Sequence, residues 1–236
     1  MKLNVHISRS GYCSRRNAAL LIKEGRVTVN GKTISEPWLE VNPGDKVSVN
    51  KKLLVQEQKH VYLVFNKPKG VTVTLDDPFA EKKITDFIPK GLGRVFPVGR
   101  LDKFSRGIII LTNDGELCYQ LTHPKFEIEK EYLVTVKGAL DEKVLLKLKS
   151  GIREDGDMLK VKSAYMVKSN DDKSVIKVVV CEGKKRHLRR LFWGLEMDVI
   201  DLKRVRIGHL ELGGLKEGNF KIIDQKTIYS LTTKKH

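Results

Sequence analysis

The sequence predicts an α+β protein in which a small amino-terminal domain precedes a larger domain built on a mixed or antiparallel sheet. Strand-like segments dominate the larger part, and the helical segments among them follow no βαβ rhythm, which argues against an all-parallel sheet. The first 52 residues differ, since two short helical segments there come before a hairpin signal. With 236 residues, 40% of them hydrophobic, the chain is long enough to bury a real core.

Residues 1–52 are the predicted small domain. Apolar residues recur there at helical spacing in two runs, and Ser14 and Gly25 are the expected N-cap and C-cap of the second. The stretch RVTVNGKTI then alternates around Asn30-Gly31, which is the strongest short-range signal for a hairpin. The stretch VNPGDKVSV adds a further turn and strand.

Residues 53–60 are the predicted linker, because this stretch is polar and has no regular periodicity. The predicted larger domain spans residues 61–236. Its strands are expected in VYLVFNKPKGVTVTL, with a turn at Lys67-Pro68 between two strands, and in RVFPV, GIIILT, EYLVTVKG, VIKVVVCEG and LKRVRIGHLEL. Helices are expected at residues 116–122, 141–149 and 184–194, the last of them strongly basic.

The charge balance predicts a polyanionic partner. The chain has 45 Lys and Arg against 29 Asp and Glu, a formal net charge of +16. Such an excess is typical of proteins that bind nucleic acid, ahead of those that bind an acidic membrane, and the alternative is a merely solubilising surface charge. The share of residues 1–52 is large, with ten Lys and Arg against four Asp and Glu.

The sequence has no long apolar segment and no paired cysteines, and these two observations predict the cellular compartment and the need for a metal. No apolar run approaches the roughly 20 residues that span a bilayer, and MKLNVHISRSGY has no apolar signal-peptide core, so we expect a cytoplasmic protein without a membrane partner. Cys13, Cys118 and Cys181 lie far apart, which favours free thiols over disulfides or a zinc site. No metal is therefore expected.

The stretch HISRSGYCSRRNAALLIKEGRVTVNGKTI resembles the S4 RNA-binding domain, in which a helical pair presents basic residues to RNA. The resemblance implies that five side chains contact phosphates and add affinity without reading sequence, namely Arg9, Arg15, Arg16, Lys23 and Arg26. The alternative is that they line a solvated helix face. RNA affinity that falls steeply with salt would distinguish the two.

The stretch GRLDKFSRGIIILTNDG places Asp102 between a short predicted strand and an apolar run. Such a residue belongs on a loop at the end of a sheet, where a rigid scaffold commonly holds functional groups. Asp is also frequent in turns. From spacing alone, Asp102 is either an ordinary turn residue or a carboxylate that does chemistry inside a basic groove.

Five stretches of the second domain occur in the same order along the chain as the motifs of one known family, in which they also follow an S4 domain. They are NKPKG, GRLDKFSRGIIILTNDGEL, KEYLVTV, EGKKRHLRRLF and LKRVRIGHLEL. Together they resemble the pseudouridine synthases of the RsuA/RluB/RluE/RluF type. The resemblance implies isomerisation of a uridine in ribosomal RNA, in which the base is detached from its ribose, turned and reattached through carbon without a cofactor.

The resemblance also implies catalytic roles. Asp102 corresponds to the family's nucleophile, which either adds to the anomeric carbon or assists glycosyl elimination, and it must be ionised. Arg189 corresponds to the basic residue that pairs with this aspartate, and an ion pair at about 4 Å contributes roughly 4 kcal/mol at an effective dielectric near 20 before desolvation is subtracted. Tyr132 corresponds to the tyrosine that stacks on the everted uracil, and the resemblance leaves open a second role for it as a general base.

Further positions carry weaker implied roles in substrate binding. Arg100 is expected to fill the gap that the everted base leaves in the RNA. Lys67 and Leu202 match positions that support the pocket, and Arg186 and Arg190 are expected to face RNA phosphates. His187 stands where relatives carry Gln or Glu, and we expect it to make a hydrogen bond in the same place rather than to act as a pH-sensitive group.

The expected substrate is large-subunit (23S) rRNA, either free or in a ribosomal subunit precursor, and the expected enzyme is a monomer. The alternatives are a synthase for small-subunit (16S) rRNA and a non-catalytic S4-type RNA-binding or ribosome assembly protein. The intact stretch around Asp102, with Tyr132 and Arg189, argues against the pure binder, because such a protein has no need of a carboxylate in a basic groove. A metal-dependent nuclease would need clustered carboxylates, which the isolated Asp102 does not supply.

Overall fold

In the computed structural model, which describes residues 1–55, 59–89 and 91–232, the chain divides into two units. The first comprises residues 1–61 with residues 90–95 and 113–115, and the second comprises the rest. The predicted linker 53–60 includes residues 56–58, and the predicted domain 61–236 includes residues 90 and 233–236, all of which lie outside the described residues. Elements of both units are helices and strands, so the predicted α+β class is confirmed.

The first unit packs two helices with a small antiparallel sheet. Its elements are α1 (Leu3–Arg9), α2 (Arg15–Lys23), β1 (Val27–Val29), β2 (Lys32–Thr33), β3 (Val47–Val49) and β4 (Lys52–Leu53), and the strand order is β2-β1-β3-β4. As predicted, the Ser14 hydroxyl accepts the amide of Asn17 at 3.1 Å, and Asn30 and Gly31 both have positive φ in the β1–β2 turn. The buried core includes Leu3, Ile7, Ala18, Ile22, Val27 and Val49.

The second unit is built on one large mixed sheet. The strands of this unit are β5 (Tyr62–Lys67), β6 (Phe96–Pro97), β7 (Arg106–Thr112), β8 (Lys130–Lys137), β9 (Ile152–Glu154), β10 (Asp157–Leu159), β11 (Ser163–Ser169), β12 (Lys173–Val180), β13 (Val199–Ile207), β14 (Leu210–Glu211) and β15 (Phe220–Ile222). Of these, β9 and β10 form a separate two-stranded hairpin, and the others belong to the large sheet. Its helices are α3 (Gly115–Thr122), α4 (Lys143–Ser150), α5 (His187–Trp193) and α6 (Gln225–Tyr229), with 3₁₀ helices at Ile84–Phe87, Pro124–Phe126 and Ser230–Thr232. None of the helices in the described ranges is long and apolar enough to cross a membrane.

The order of strands in the large sheet is β11-β12-β8-β13-β7-β5-β15, with β14 beside β13 and β6 beside β7. Neighbours are antiparallel except that β13 runs parallel to β7. Gly107 is required at that junction, because its φ is +106° and a Cβ there would lie 2.1 Å from the carbonyl oxygen of Arg204. The close approach aligns Arg204 with the start of β7, where the Asp102 loop enters the sheet.

Several local predictions for this unit need correction. The second strand expected after Lys67-Pro68 does not form, and that stretch makes only an isolated bridge between Thr72 and Lys83. The basic helix expected at 184–194 begins at His187, because Arg186 is left-handed with φ +52° and residues 185 and 186 are a turn. Elements β9, β10, β11, β15 and α6 were not predicted, since most of them are too short for periodicity to show.

Candidate active site

The loop that carries Asp102 lies at the amino-terminal end of β7, as the sequence predicts. The carboxylate is exposed, and the Asp102 carbonyl accepts the amide of Ser105 at 2.9 Å in a tight turn. A second segment supports this turn, because the amide of Gly70 donates to the carbonyl of Lys103 at 2.8 Å. The backbone around Asp102 is therefore held on both sides while its side chain stays exposed.

Lys67 lies beneath this loop and is fully buried. Its ammonium donates to the carbonyls of Ser105, Pro68 and Lys103 at 2.7, 2.9 and 3.3 Å. Burial lowers the pKa of Lys67 to about 8, an effect that the negative charge of Asp102 opposes. The expected contact of Lys67 with substrate is therefore corrected, because its three donors are committed to backbone carbonyls and its role is to position the loop.

A row of side chains on neighbouring strands lies next to the loop. Tyr132 of β8 pairs in register with Arg204 of β13, and Leu202 precedes Arg204 by two residues and so shares its face. All three side chains are buried. Arg204 donates from Nε to the carbonyl of Ile108 at 2.7 Å and from Nη1 to the Tyr132 hydroxyl at 3.4 Å. The buried guanidinium thus orients the tyrosine ring toward one defined place.

Residues 182–189 form a basic wall opposite the loop. Lys184 donates to the carbonyl of Met158 at 2.8 Å, whereas the side chains of Lys185 and Arg186 are exposed and make no hydrogen bond or ion pair within the described part of the chain. The left-handed conformation of Arg186 turns the chain here from the end of β12 into α5. The wall therefore presents cationic side chains that are free to meet an anion.

Arg189 joins the wall to the loop. Its Nη2 donates to the carbonyl of Phe104 at 3.0 Å. Burial lowers the pKa of Arg189, and the nearby charge of Asp102 partly offsets this effect. The expected direct ion pair at about 4 Å is not made among the described residues, since the guanidinium bonds to the backbone of the loop rather than to the Asp102 carboxylate.

These elements enclose a cavity of about 300 Å³. Its lining includes Arg100, Leu101, Asp102, Ser105, Tyr132, Val180, Glu182, Lys184, Lys185, Arg186, Leu188, Arg189 and Leu202. The structure thus brings together seven of the eight predicted catalytic or substrate-binding positions near one cavity, six in its lining and Lys67 beneath the loop. The eighth, Arg190, does not line it.

The predicted phosphate contact of Arg190 is corrected for this reason. Its side chain is directed to the β9–β10 hairpin, where Nη1 pairs with Asp157 at 2.8 Å and Nη2 donates to the carbonyl of Glu154 at 2.5 Å. A second carboxylate, that of Asp155, lies 3.5 Å away. Hydrogen bonds to acidic partners hold Arg190 in the fold, so its charge is already balanced.

Two carboxylates line the cavity, and their environments differ. Glu182 lies 3.7 Å from both the Lys184 ammonium and Nδ1 of His187. Asp102 makes no ion pair within the described residues, although the charges of Lys67 and Arg189 lie near it. Asp102 is therefore the carboxylate left available to a ligand in the cavity, and the isolated acid predicted from sequence is in fact accompanied by a paired one.

His187 makes the kind of contact expected of it. The ring is buried, and its Nε2 donates to the carbonyl of Lys160 at 3.0 Å. Burial lowers the pKa of His187, so the ring is neutral near pH 7. It therefore supports the segment that leads into α5 through a hydrogen bond and does not act as a charged group.

Sequence reasoning missed Arg204 and Glu182. Arg204 alternates with Leu202 in the motif LKRVRIGHLEL, and this spacing places both on one face of a strand. Glu182 opens the motif EGKKRHLRRLF. The motifs thus contained both residues, and only the fold shows that one is a buried cation and the other a paired acid.

The five basic residues predicted to bind RNA in the first unit, Arg9, Arg15, Arg16, Lys23 and Arg26, are all exposed. Arg26 is partly engaged, because its Nε donates to Asn50 at 2.8 Å and its Nη1 to Glu24 at 3.2 Å. Across the described residues no three His, Cys, Asp or Glu side chains cluster in a way that could hold a metal ion.

Comparisons with known proteins match both parts of the chain. A family model described as RNA pseudouridylate synthase matches residues 61–193, and one described as S4 domain matches residues 1–47. The ribosomal large subunit pseudouridine synthase B of Bacillus subtilis (strain 168) is 39% identical over 220 residues, 92% of this chain and 90% of that protein. An uncharacterized RNA pseudouridine synthase of Aquifex aeolicus (strain VF5) is 36% identical over 233 residues, 98% of this chain and 93% of that protein.

The fold is also similar to that of a solved structure. A crystal structure described as pseudouridylate synthase has a TM-score of 0.69 and 27% sequence identity, and the match covers 98% of this chain and 99% of the other. Sequence and fold therefore agree along nearly the whole length. This chain belongs to the RNA pseudouridylate synthase family, and its residues 1–47 are an S4 domain.

Proposed function

We propose that this protein isomerises a uridine of large-subunit (23S) rRNA to pseudouridine, with Asp102 as the nucleophile. The observation that carries the proposal is the exposed Asp102 carboxylate, which lines a cavity together with Tyr132 and a wall of cations. A volume of about 300 Å³ is at the lower end of the range for small-ligand pockets, which suits a single nucleotide.

The reaction is an isomerisation, so substrate and product contain the same atoms. The bond between N1 of uracil and C1′ of the ribose breaks, and a bond between C5 and C1′ forms. The C5 proton leaves, and N1 takes up a proton. Asp102 either adds to C1′ or assists glycosyl elimination, and both routes require its carboxylate to be ionised and close to the ribose.

The surrounding groups act on the uracil and on the charge. Tyr132 packs against the everted base, and Arg204 keeps its ring oriented through the hydroxyl. Leu202 contributes an apolar surface on the same face of the sheet. Arg189 keeps positive charge near the carboxylate and fixes the loop through Phe104, so it helps to hold the reacting group in place.

The uridine must leave its stack before its glycosidic bond can reach Asp102, at a cost of about a few kcal/mol. Arg100 is exposed at the edge of the cavity, and its planar guanidinium fills the gap in the RNA. Arg186 contacts the adjoining phosphates. In the first unit Arg9, Arg15, Arg16, Lys23 and Arg26 add affinity for the backbone without reading sequence.

The choice of rRNA is supported by the Bacillus subtilis relative, whose name assigns it to the large ribosomal subunit, and by the net charge of +16. We further propose that the enzyme works as a monomer in the cytoplasm without cofactor or metal. An isomerisation transfers no electrons to an external acceptor, and the chain supplies the nucleophile itself.

The proposal is tested by mapping carbodiimide-reactive uridines in rRNA from cells that carry the gene, lack it, or carry Asp102→Ala. We expect one modified position in 23S rRNA to disappear on deletion and to stay absent with Asp102→Ala. Asp171→Ala, which changes an exposed aspartate in the β11–β12 turn, is the matched control and should restore it. An unchanged pattern on deletion would favour a non-catalytic RNA-binding protein, and a lost position in 16S rRNA would move the substrate to the small subunit.

A further inference from the structure

A second groove adjoins the candidate active site. It has a volume of about 620 Å³ and lies between the carboxyl-terminal end of α5 and the start of β13. Arg186 and Arg189 line both this groove and the cavity that contains Asp102. The remaining lining consists of Arg190, Trp193, Met197, Asp198 and Val199, so three arginines face one carboxylate. The two depressions are therefore continuous along one cationic edge.

Trp193 is the unusual residue of this groove. It is the last residue of α5, and the core-facing side chains of that helix, Leu188, Leu191 and Phe192, are all buried. The indole, in contrast, is 70% exposed. Trp is highly buried on average, so an indole with this exposure contributes little to the core and is available to a ligand.

One cation of the groove is available as well, whereas Arg189 donates to the carbonyl of Phe104 and Arg190 pairs with Asp157. Arg186 makes no hydrogen bond or ion pair within the described residues, and its position at the start of α5 places it at the boundary between cavity and groove. A positively charged groove with an exposed aromatic ring is the arrangement that binds single-stranded nucleic acid, because the cations follow the phosphates and the ring stacks on a base. Trp, Met and Arg are also enriched in protein–protein interfaces. The continuity of this groove with the cavity that contains Asp102 is what favours RNA as its occupant.

We propose that this groove is a subsite for a nucleotide next to the isomerised uridine, with the base stacked on Trp193 and its phosphate at Arg186. The proposal rests on the proposed function, since the occupant is the same RNA strand. Every base has a face that can stack, so the subsite tolerates any base and supplies affinity rather than sequence choice. Its loss should therefore raise KM and leave kcat almost unchanged.

The first test measures stacking directly. The chain has two tryptophans, so Trp38→Phe in the full-length protein leaves Trp193 as the only indole. The probes are an oligouridylate of about seven residues and an abasic oligomer of equal length and charge. We expect the oligouridylate to quench the fluorescence of Trp193 and the abasic oligomer not to. Equal quenching by both, or none at RNA concentrations where the anisotropy of the labelled oligouridylate shows saturation, would overturn the proposal.

The second test measures the contribution to catalysis on 23S rRNA transcribed in vitro. We expect Trp193→Ala to raise KM about 5- to 150-fold, which corresponds to about 1–3 kcal/mol of stacking, with kcat within about threefold. Trp193→Phe should recover most of the loss. Tyr165→Ala removes a comparably exposed aromatic ring from β11 and should leave KM unchanged. An unchanged KM for Trp193→Ala, or a loss confined to kcat, would overturn the subsite.

The two tests separate failure of the subsite from failure of the proposed function. If the unaltered protein forms no pseudouridine in any rRNA, the proposed function fails. The fluorescence result still decides whether Trp193 stacks on a base.

Discussion

Two groups of cations border Asp102, and they differ in what their charges contact. The floor consists of Lys67 and Arg204, which are buried and donate to backbone carbonyls. The wall consists of residues 182–189, where Lys185 and Arg186 are exposed. The same residue types thus support the Asp102 loop in one region and stay exposed to solvent in the other. Burial and hydrogen-bond partners, and not charge alone, distinguish the two roles.

Burial of the floor cations costs free energy of folding. A buried ammonium loses hydration worth several kcal/mol, which hydrogen bonds to carbonyls only partly replace. Lys67 recovers three such bonds, and they join two separate segments of chain beneath Asp102. The exposed wall cations Lys185 and Arg186 carry no such cost, because they remain in contact with water. Changes to the floor should therefore alter turnover and stability, whereas changes to the wall should alter RNA affinity.

The largest effect on turnover that tests this division is expected from a substitution of Arg189. This residue lies in the wall, yet it donates to a backbone carbonyl of the Asp102 loop, as the floor residues donate to carbonyls. We expect Arg189→Met to lower kcat about 10²- to 10³-fold, because a preorganised charge near the reacting carboxylate is lost. The Kd for RNA should rise less than about tenfold, as for the loss of a single phosphate contact. Single-turnover kinetics and filter binding measure the two quantities.

Arg153→Met is the control for this experiment. Arg153 is an exposed residue of β9 and lies outside the cavity lining. Its replacement should leave both kcat and Kd unchanged. If Arg189→Met weakens RNA binding and leaves kcat unchanged, Arg189 contributes only to RNA affinity, as the exposed wall cations do, and its proposed role at Asp102 is wrong.

An effect of intermediate size is expected in the pH dependence of the free energy of unfolding, to which Lys67 of the floor contributes. The folded chain releases the Lys67 proton near pH 8, whereas the unfolded chain holds it to about the ordinary value of 10.5. The unfolded state therefore binds more protons between these values, and this group makes stability rise with pH over that window. Relative to Lys67→Met, the wild type should gain about 2 kcal/mol in free energy of unfolding between about pH 7.5 and 9.5.

Urea unfolding of both proteins at the two pH values measures this gain. Burial also lowers the pKa of Lys130 to about 8, but both proteins contain Lys130, so its contribution to the pH dependence cancels in the comparison. A difference that stays constant with pH would mean that Lys67 is not charged and buried as described. In that case its three carbonyl contacts would not be those of an ammonium.

The smallest effect is expected in the wall. Lys185→Ala removes an exposed cation from the cavity lining, so the slope of log Kd against log salt for RNA should fall by about 1. At saturating RNA, kcat should not change. Lys168→Ala, at an exposed position of β11, is the control and should leave the slope as it was. A fall in kcat for Lys185→Ala would show that the wall also positions the reacting groups.

The sequence predicted many of the helices and strands, but not β9, β10, β11, β15 or α6, and it placed Asp102 on a loop at the end of the sheet. Hairpin chemistry at Asn30-Gly31 and the cap at Ser14 depend on neighbouring residues, so local pattern was sufficient. The partners of Arg189 and Arg190 were not predicted correctly. The two residues are adjacent on α5. Only the fold shows that Arg189 reaches the Asp102 loop while Arg190 pairs with Asp157.

The buried contacts were beyond prediction for the same physical reason. Lys67 and the carbonyl of Ser105 are 38 residues apart, and Arg204 and the carbonyl of Ile108 are 96 apart. Such pairings depend on strand order and on the close approach at Gly107. A resemblance named Lys67 and Leu202 as supporting positions, but it did not say that Lys67 acts through backbone carbonyls.

The most direct measurement compares turnover and binding for purified Asp102→Asn on 23S rRNA. Asn keeps the size of the side chain and removes its charge and nucleophilicity, so pseudouridine formation should fall at least about 10⁴-fold. RNA affinity should stay within about threefold of the wild type, because the wall and the first unit supply it. Turnover that persists in Asp102→Asn would contradict the assignment of the reaction to this carboxylate.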